Sequence, residues 1–318
     1  MGSNDKFAMT LLGKKILVTG GEGFLGQHVI KELLARGVDR KDISVPSAAS
    51  CDLRFYINCE KAVANHNVVF HLAAVTGGIE FHTTHPGNIF YDNLMMGVHL
   101  MESARLAGVE KFLTIGSATE YPTTASLPYR EESLWQGLPD PVHIPYSMAK
   151  RMFIVQGAAY RAQYGFNAIH LMPNNMFGPG EKFESGFVIP SIMKKILDVK
   201  ASGADFITSW GTGKAKREFV YVEDAARAIM LAAERYDKPE PVNIGSGEEI
   251  SIKDLVTLIA RFMDFKGEIK WDHTKPDGQL RRNLDVSRAE KEFGFHAEVS
   301  FEEGLKKTID WHLKTVYK

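Results

Sequence analysis

The stretch Lys15-Ile-Leu-Val-Thr19-Gly20-Gly21-Glu22-Gly23-Phe24-Leu25-Gly26 decides the fold. It begins with an apolar, β-branched run typical of a buried strand, and the residues after it keep a helical pattern as far as Ala35. Gly20, Gly23 and Gly26 thus form a G-x-x-G-x-x-G turn between a strand and a helix. Such glycines let the backbone approach a pyrophosphate, and the helix N-terminus offers free N–H groups to its charge. The segment predicts a dinucleotide site, with a glycine turn that binds no cofactor as the alternative.

Strand-like and helical segments alternate outward from this turn through the first half of the chain. Apolar runs that predict further strands lie at 42–45, 68–72, 111–116 and 167–172. Amphipathic stretches that predict helices lie at 27–36, 89–107 and 147–164. This βαβ series predicts an α/β fold of Rossmann type, a doubly wound parallel sheet with helices on both faces.

After Pro173 the pattern changes, and loops rich in glycine and proline separate the segments. Helices are expected near 188–199, 223–235, 251–263 and 301–314, with strands at 217–222 and 241–245. We expect the dinucleotide-binding domain at 14–172 plus about 219–247. A smaller C-terminal substrate lobe is expected at about 173–218 plus 248–318, and residues 1–13 are expected to be a flexible leader.

Composition argues against several classes of function. The chain has 318 residues and a net charge of −1 without basic or acidic blocks, so it predicts neither a nucleic-acid partner nor a membrane surface. No apolar run approaches the ~20 residues that span a bilayer. Cys51 and Cys59 fit neither a disulfide framework nor a metal site. We therefore expect a cytoplasmic protein without a bound metal.

A second motif carries the chemistry: Tyr146-Ser-Met-Ala-Lys150, with Ser117 upstream at the end of an apolar run. Tyr and Lys four apart lie on the same face of a helix. A lysine ammonium beside a phenol favours the phenolate and lowers a pKa that starts near ~10, which gives a proton carrier for neutral pH. The Ser117 hydroxyl would hold a carbonyl or carbinol oxygen against that phenol. The Tyr–Lys pair alone also fits an ordinary surface helix. The glycine turn is the feature that supports a catalytic role for the pair.

Ordered motifs run through nearly the whole chain, from Lys14 to Trp311. They are Gly20–Gly26, His71–Ala74, Gly116-Ser117, Tyr146–Lys150, Pro173–Asn175 and Arg217–Asp224. In this order they resemble the extended short-chain dehydrogenases/reductases that act on nucleotide sugars. The resemblance is greatest to the GDP-L-fucose synthase family, the GDP-4-keto-6-deoxymannose epimerase–reductases. It implies a nicotinamide dinucleotide cofactor and a nucleotide-sugar substrate.

The resemblance also implies three groups of site residues. The catalytic group would be Ser117, Tyr146, Lys150 and Thr119. The dinucleotide would be held by Gly20, Gly23, Phe24, Leu25, Gly26, Asp52, Leu53, Leu72, Ala73, Ala74, Tyr146, Lys150, Pro173, Asn175 and Met176. The sugar nucleotide would be held by Asn93, Thr119, Asn174, Asn175, Phe187, Val188, Lys195, Trp210, Arg217, Asp277 and Arg281. The plain structural alternatives are solvated charges at Lys195 and Arg281–Arg282, a core aromatic at Trp210 and an ion pair at Arg217.

Two positions depart from the family pattern. Where the family has the cysteine and histidine that invert the carbons beside the ketone, this chain has Thr119 and Phe187. A threonine hydroxyl is a poor acid or base near neutral pH and a phenyl ring is neither, so two-centre epimerisation is expected to be lost. The related dehydratases place Asp-Glu after the serine, where this chain has Ala118-Thr119, so dehydration is disfavoured too. Glu120 and His143 stay open as substitutes for the missing groups.

What remains is hydride transfer, from which two enzyme functions follow, and a third function of a different class stays open. The first is reduction of the 4-keto group of a nucleotide-linked, GDP-type sugar without the epimerase step. The second is a C4 epimerase that uses tightly bound NAD. The third is a non-catalytic, dinucleotide-binding regulatory protein, which retention of both Tyr146 and Lys150 disfavours. The sequence favours the reductase.

The choice between NAD and NADP stays open in the sequence. After the second predicted strand, 45–50 contains neither the Asp that binds a ribose 2′-hydroxyl nor the Arg that binds a 2′-phosphate. Its serines, or Arg40 and Lys41, would have to bind the ribose 2′-hydroxyl or the 2′-phosphate instead. NADP is favoured only by the resemblance. The resemblance also implies a homodimer, in which helices 89–107 and 147–164 pair across a two-fold axis as a four-helix bundle.

Overall fold

The structure, a computed structural model, describes residues 9–275 and 277–316. Its strands are β1 Ile16–Thr19, β2 Ile43–Ser44, β3 Val68–His71, β4 Lys111–Ile115, β5 Ala168–Pro173, β6 Asn175–Phe177, β7 Phe206–Trp210, β8 Lys216–Tyr221, β9 Val242–Ile244, β10 Glu249–Ser251, β11 Glu268–Asp272 and β12 Arg281–Arg282. Its helices are α1 Phe24–Ala35, α2 Tyr56–Val63, α3 Ile79–Thr84, α4 Pro86–Leu106, α5 Ile144–Tyr164, α6 Val188–Ser202, α7 Val222–Arg235, α8 Ile252–Phe262, α9 Ser287–Phe293 and α10 Phe301–Val316. Within these described ranges, no helix has the length and apolar character needed to cross a membrane.

The main sheet has six parallel strands in the order β2-β1-β3-β4-β5-β9. After β1 the chain moves to one side to form β2 and then crosses to the other side to form β3. In doubly wound sheets a ligand binds in the crevice beyond the carboxyl ends of the strands at such a reversal. The predicted fold class is confirmed, and the topology directs attention to the loops that follow Thr19 and His71.

Both faces of the main sheet are covered, which explains why its strands are apolar runs rather than alternating patterns. Successive residues of a strand point to opposite faces. Accordingly, Ile16 and Val18 pack in one cluster with α1 and α7, whereas Leu17 packs in another with α2, α4 and α5. Phe153 of α5 belongs to the second cluster, so the helix with the Tyr–Lys motif is held firmly against the sheet.

The second lobe is built around β8, which pairs with β6, β10 and β12. Strands β7 and β11 form a separate parallel pair. A third apolar cluster joins these strands to α6, α8 and α10. The chain returns to the main sheet through α7 and β9, as the apolar run near 241–245 predicts. Sequence patterns did not predict α2, α3, α9 or strands β6, β7, β10, β11 and β12.

The three predicted helices of the first half all begin three residues earlier in the structure than in the sequence pattern. Pro86 and Pro145 lie in the first turns of α4 and α5, where a missing N–H leaves no hydrogen bond unmade. Residues 1–8 of the expected leader lie outside the described residues. Of its remainder, Leu11 is buried and the Met9 N–H donates to the Glu234 carbonyl at 2.8 Å.

Candidate active site

The glycine turn lies at the predicted crevice, and its backbone packs directly against neighbouring backbone atoms. Gly20 has a φ of +71°, and a Cβ there would stand 2.7 Å from the Ala73 amide nitrogen. A Cβ on Gly26 would stand 2.2 Å from the Gly20 carbonyl oxygen. The loops after β1 and β3 therefore meet through bare backbone, beside Leu72 and Ala74. Side chains larger than hydrogen would separate them.

The N-terminus of α1 is open to an anion. Gly23 caps the helix without any side-chain hydrogen bond, and no acidic residue lies in the first turn. The N–H groups of Phe24 and Leu25 are thus among those left without helical acceptors. Together with the positive end of the helix dipole, they fit the pyrophosphate of a dinucleotide.

Tyr146 and Lys150 are one turn apart on α5, and both are buried, with 8% and 1% of their surface exposed. The Lys150 Nζ lies 5.7 Å from the centre of the Tyr146 ring. Among the described residues, none accepts a hydrogen bond from this ammonium. A buried cation with three unused donors fits a ligand that brings hydroxyl oxygens, such as the ribose of a nicotinamide nucleotide.

Ser117 lies where β4 ends and caps a short 3₁₀ turn, Ala118–Glu120. Its Oγ accepts a hydrogen bond from the Thr119 N–H at 3.2 Å. Ser147, next to Tyr146, donates to the Thr119 carbonyl at 2.8 Å. This bond joins the turn that contains Ser117 and Thr119 to α5, the helix that carries Tyr146 and Lys150.

The protonation of the Tyr–Lys pair differs from the sequence-based expectation. Burial raises the pKa of Tyr146, and the Glu120 carboxylate raises it further. Burial lowers the pKa of Lys150 to about 8, against the opposing effect of Glu120. Contrary to the expectation, the pKa of the phenol is raised and not lowered, because desolvation of the phenolate is the largest effect and the Glu120 carboxylate acts in the same direction. At neutral pH Tyr146 is a proton donor.

A pair of histidines adjoins the phenol. The His82 ring, on α3, lies edge-on to Tyr146 with centroids 5.6 Å apart, and the His143 ring lies 5.0 Å from His82. Burial, the Arg282 cation and His82 lower the pKa of His143 to about 4, and burial lowers that of His82. Both are neutral at pH 7. The position of His143 three residues before Tyr146 was a usable sequence signal, whereas His82, on α3 and far from Tyr146 in the sequence, gave none.

Two guanidinium groups face each other in the second lobe. Arg217 of β8 and Arg282 of β12 are register partners in neighbouring strands. Burial and the nearby Arg282 lower the pKa of Arg217 to about 10. Neither side chain pairs with a carboxylate within the described part of the chain, so the alternative of a structural ion pair at Arg217 is not supported. Two adjacent cations without an acidic partner fit a diphosphate.

Arg281, the residue assigned from the resemblance, faces the other way. It forms an ion pair with Glu249, because neighbouring residues of a strand point to opposite sides. Sequence analysis placed Arg281 among the substrate residues, whereas in the structure Arg282 is the one that is the register partner of Arg217. The register of β12 against β8 decides it.

Other predicted substrate residues surround the end of β7. Trp210 is 58% exposed, so it is not a core aromatic, and the Lys275 ammonium lies 5.4 Å from its ring centre. Lys195 donates to the Thr208 carbonyl at 2.7 Å. Asp277 accepts hydrogen bonds from the Thr212 N–H and hydroxyl, both at 2.6 Å. The lobe thus presents an aromatic face with cations nearby.

Several predicted residues support the site and do not line it. Asn93 is buried, and its amide bonds to the backbone of Val75 and Ile89. Asn174 is buried and donates to Glu218 at 2.7 Å. Leu53 belongs to the core.

The remaining predicted residues lie as follows. Asp52 forms an ion pair with Arg54. Phe187 is 44% exposed and caps α6, where Val188 follows it. Pro173, Asn175 and Met176 lie where the chain leaves the main sheet at β5 and enters β6. No group of three or more His, Cys, Asp or Glu residues placed to hold a metal occurs in residues 9–275 and 277–316.

A doubly wound sheet with a glycine turn at its reversal and a buried Tyr-x-x-x-Lys helix beside a serine defines an extended short-chain dehydrogenase/reductase. The chain belongs to the NAD dependent epimerase/dehydratase family, whose pattern matches residues 16–245. It is 35% identical over 306 residues to GDP-L-fucose synthase 1 of Arabidopsis thaliana, covering 95% of this chain and 94% of that one. It is 31% identical over 316 residues to GDP-L-fucose synthase of Escherichia coli, with 95% and 97% covered.

Among solved structures, the chain is similar to a GDP-L-fucose synthetase from Naegleria fowleri bound to NADP. The TM-score is 0.87 at 27% identity, with 99% of this chain and 98% of that chain covered. The agreement extends over both lobes.

Proposed function

We propose that this protein is an NADP-dependent reductase of the 4-keto group of a GDP-linked sugar, and that it does not epimerise the neighbouring carbons. The observation that carries the proposal is the buried Tyr146–Lys150 pair on a helix joined to the Ser117 turn, with Thr119 and Phe187 in place of the family's epimerase acid/base groups. The similarity to proteins named GDP-L-fucose synthase supports a GDP-linked sugar as the substrate.

The residues present fit a nicotinamide dinucleotide. NADPH bound there would supply the hydride. The α1 N-terminus and Gly20–Gly26 would hold the pyrophosphate, and Lys150 would donate to ribose hydroxyls. After β2, the Ser47 and Ser50 hydroxyls lie 2.8 Å apart in an exposed turn, where they would donate to a 2′-phosphate. The NADP-bound relative supports NADP over NAD.

The proton chemistry favours reduction over C4 epimerisation. When a ketone carbon gains hydride, its oxygen must gain a proton, and Tyr146 carries one at neutral pH. An epimerase must first remove a proton from a hydroxyl, which requires the phenolate that burial disfavours. Ser117 would donate to the same oxygen and hold it against the phenol. Arg217 and Arg282 would bind the diphosphate, and the exposed Trp210 would cover the base or the sugar.

The test is a panel of sugar nucleotides in deuterated water. GDP-, UDP-, dTDP- and CDP-linked 4-keto sugars are each incubated with NADPH or NADH, and products are analysed by mass and NMR. We expect NADPH consumption with a GDP-linked ketone and no solvent deuterium at C3 or C5, because no acid/base pair flanks those carbons. Deuterium at either carbon would contradict the reduction-only proposal. The same four nucleotides linked to C4-hydroxy sugars are also incubated without added cofactor, and interconversion of their C4 epimers would favour the epimerase.

A further inference from the structure

A buried acid and a buried histidine lie beneath the catalytic groups, outside the residues that the resemblance assigns. Glu120 is fully buried and His170, on β5, is 2% exposed. Glu120 Oε2 and His170 Nε2 are 3.5 Å apart, and neither atom has a hydrogen-bond partner in the described part of the chain. Since a buried carboxylate is costly, its retention at this place needs a reason.

The histidine is oriented from behind by a threonine. The Thr114 Oγ1 lies 2.7 Å from His170 Nδ1, closer than its 3.3 Å separation from the Ile169 carbonyl. We assign the hydroxyl as donor to Nδ1, which leaves the ring proton on Nε2. That N–H then points toward Glu120.

The other carboxylate oxygen fixes the backbone of the catalytic serine. Glu120 Oε1 accepts a hydrogen bond from the Ser117 N–H at 2.7 Å. A Cβ on Gly116 would stand 2.0 Å from this oxygen and 2.3 Å from His170 Nε2. Only a glycine lets the acid and the histidine pack directly under the strand end that carries Ser117.

The charge of Glu120 acts on both catalytic groups. It raises the pKa of Tyr146, after burial, and it also raises that of Lys150 against the larger lowering by burial. The other titratable groups facing the pair add no negative charge. Burial and Lys150 lower the pKa of His71 to about 3, and His82 and His143 are neutral as described above. Arg151 is a cation, whose guanidinium donates to the Glu120 carbonyl.

On these grounds, and resting on the function proposed above, we infer that Glu120 and His170 are a positioning pair. They fix the Ser117 turn and place a buried carboxylate in the same part of the site as Tyr146 and Lys150. The pair acts through the catalytic groups and does not touch the substrate. Glu120 is therefore not a substitute for the missing epimerase groups.

The test separates charge from packing with Glu120→Gln. The amide keeps an acceptor for the Ser117 N–H but removes the charge. NADPH affinity is measured by calorimetry across pH without any sugar substrate, because Lys150 loses its proton as pH rises. We expect the loss of affinity to occur at lower pH in Glu120→Gln than in the wild type, and the basic limb of kcat to move in the same direction. Thr114→Val removes the hydrogen bond to His170 Nδ1. It is expected to shift the pH dependence of NADPH affinity and that of kcat by less than Glu120→Gln does.

Glu131→Gln is the matched control, because Glu131 is also a buried carboxylate but is not among the groups that act on Tyr146 or Lys150. Its pH profiles are expected to coincide with those of the wild type even if its stability falls. Identical profiles for the wild type and Glu120→Gln would overturn the inference. Absence of dinucleotide binding in the wild type would instead refute the proposed function, so the two failures are distinguishable. Circular dichroism confirms folding of each variant.

Discussion

At the scale of single residues, Lys150 shows that function is maintained at a cost in stability. Burial lowers its pKa from 10.5 to about 8, which means that the folded state disfavours the ammonium. The penalty, about 3 kcal/mol for a displacement of this size, is fully present below about pH 8. It disappears as the pH rises toward 10.5, where the unfolded chain also loses the proton.

We therefore expect Lys150→Met to raise the free energy of unfolding by about 1–3 kcal/mol at neutral pH. The methionine fills the same space without a buried charge, but dinucleotide affinity and turnover are expected to fall. Urea unfolding measures the first effect, and the gain should shrink above pH 8. Lys266→Met removes an 84% exposed lysine and should change stability by less than ~0.5 kcal/mol. A destabilised Lys150→Met would contradict this reading.

Single residues also mark the limit of sequence reasoning. Tyr146, Lys150 and Ser117 were predicted together because their roles follow from residue type and spacing. Arg281 was assigned to the site and Arg282 was not, because only the register of a two-residue strand shows that Arg282 is the partner of Arg217. The raised pKa of Tyr146 depends on desolvation, which a sequence does not display.

At the scale of elements, the turn between β1 and α1 allows a sharp test. In Gly26→Ala the new methyl would overlap the Gly20 carbonyl, which lies 2.2 Å from the built Cβ position. We expect a loss of about 1–3 kcal/mol of stability and a larger loss of NADPH affinity, because the helix N-terminus must move. Gly87→Ala, in α4 with open space around it, should instead stabilise by about 0.5–1 kcal/mol. Unchanged NADPH binding in Gly26→Ala would contradict the assigned pyrophosphate site.

The strands of the main sheet were predictable because most of them lie in predominantly apolar runs between helices. Those of the second lobe were not. In β7 exposed and buried residues alternate, and β12 has only two residues. Each is a strand only because it pairs with another strand, β7 with β11 and β12 with β8. Propensity does not specify such long-range pairing. Helix starts were misplaced where a proline occupies the first turn.

At the scale of the whole molecule, we propose a homodimer through α4 and α5. Leu100, Met101 and Phe153 face the sheet and are buried, so they are not available for an interface. Tyr91 on α4 and Val155 on α5 are 56% and 48% exposed. These exposed apolar residues are candidates to pair with a second copy as a four-helix bundle.

Val155→Asp should therefore convert a dimer into a monomer, since a charge at a two-fold interface is buried without a partner. Light scattering at micromolar concentration measures the mass. Leu34→Asp, on α1 with 41% exposure, is the matched control and should remain dimeric. A monomeric wild-type protein would remove the proposed bundle.

The claim on which the account depends is that Tyr146 protonates an oxygen whose carbon receives hydride from the dinucleotide. It is tested most directly with NADPH deuterated at the reactive carbon of the nicotinamide and the 4-keto GDP-sugar that the panel selects. In the wild type the label should appear at C4 of the product. Tyr146→Phe should transfer it at least about 100-fold more slowly while binding NADPH nearly as tightly. Transfer at the wild-type rate by Tyr146→Phe would contradict the account.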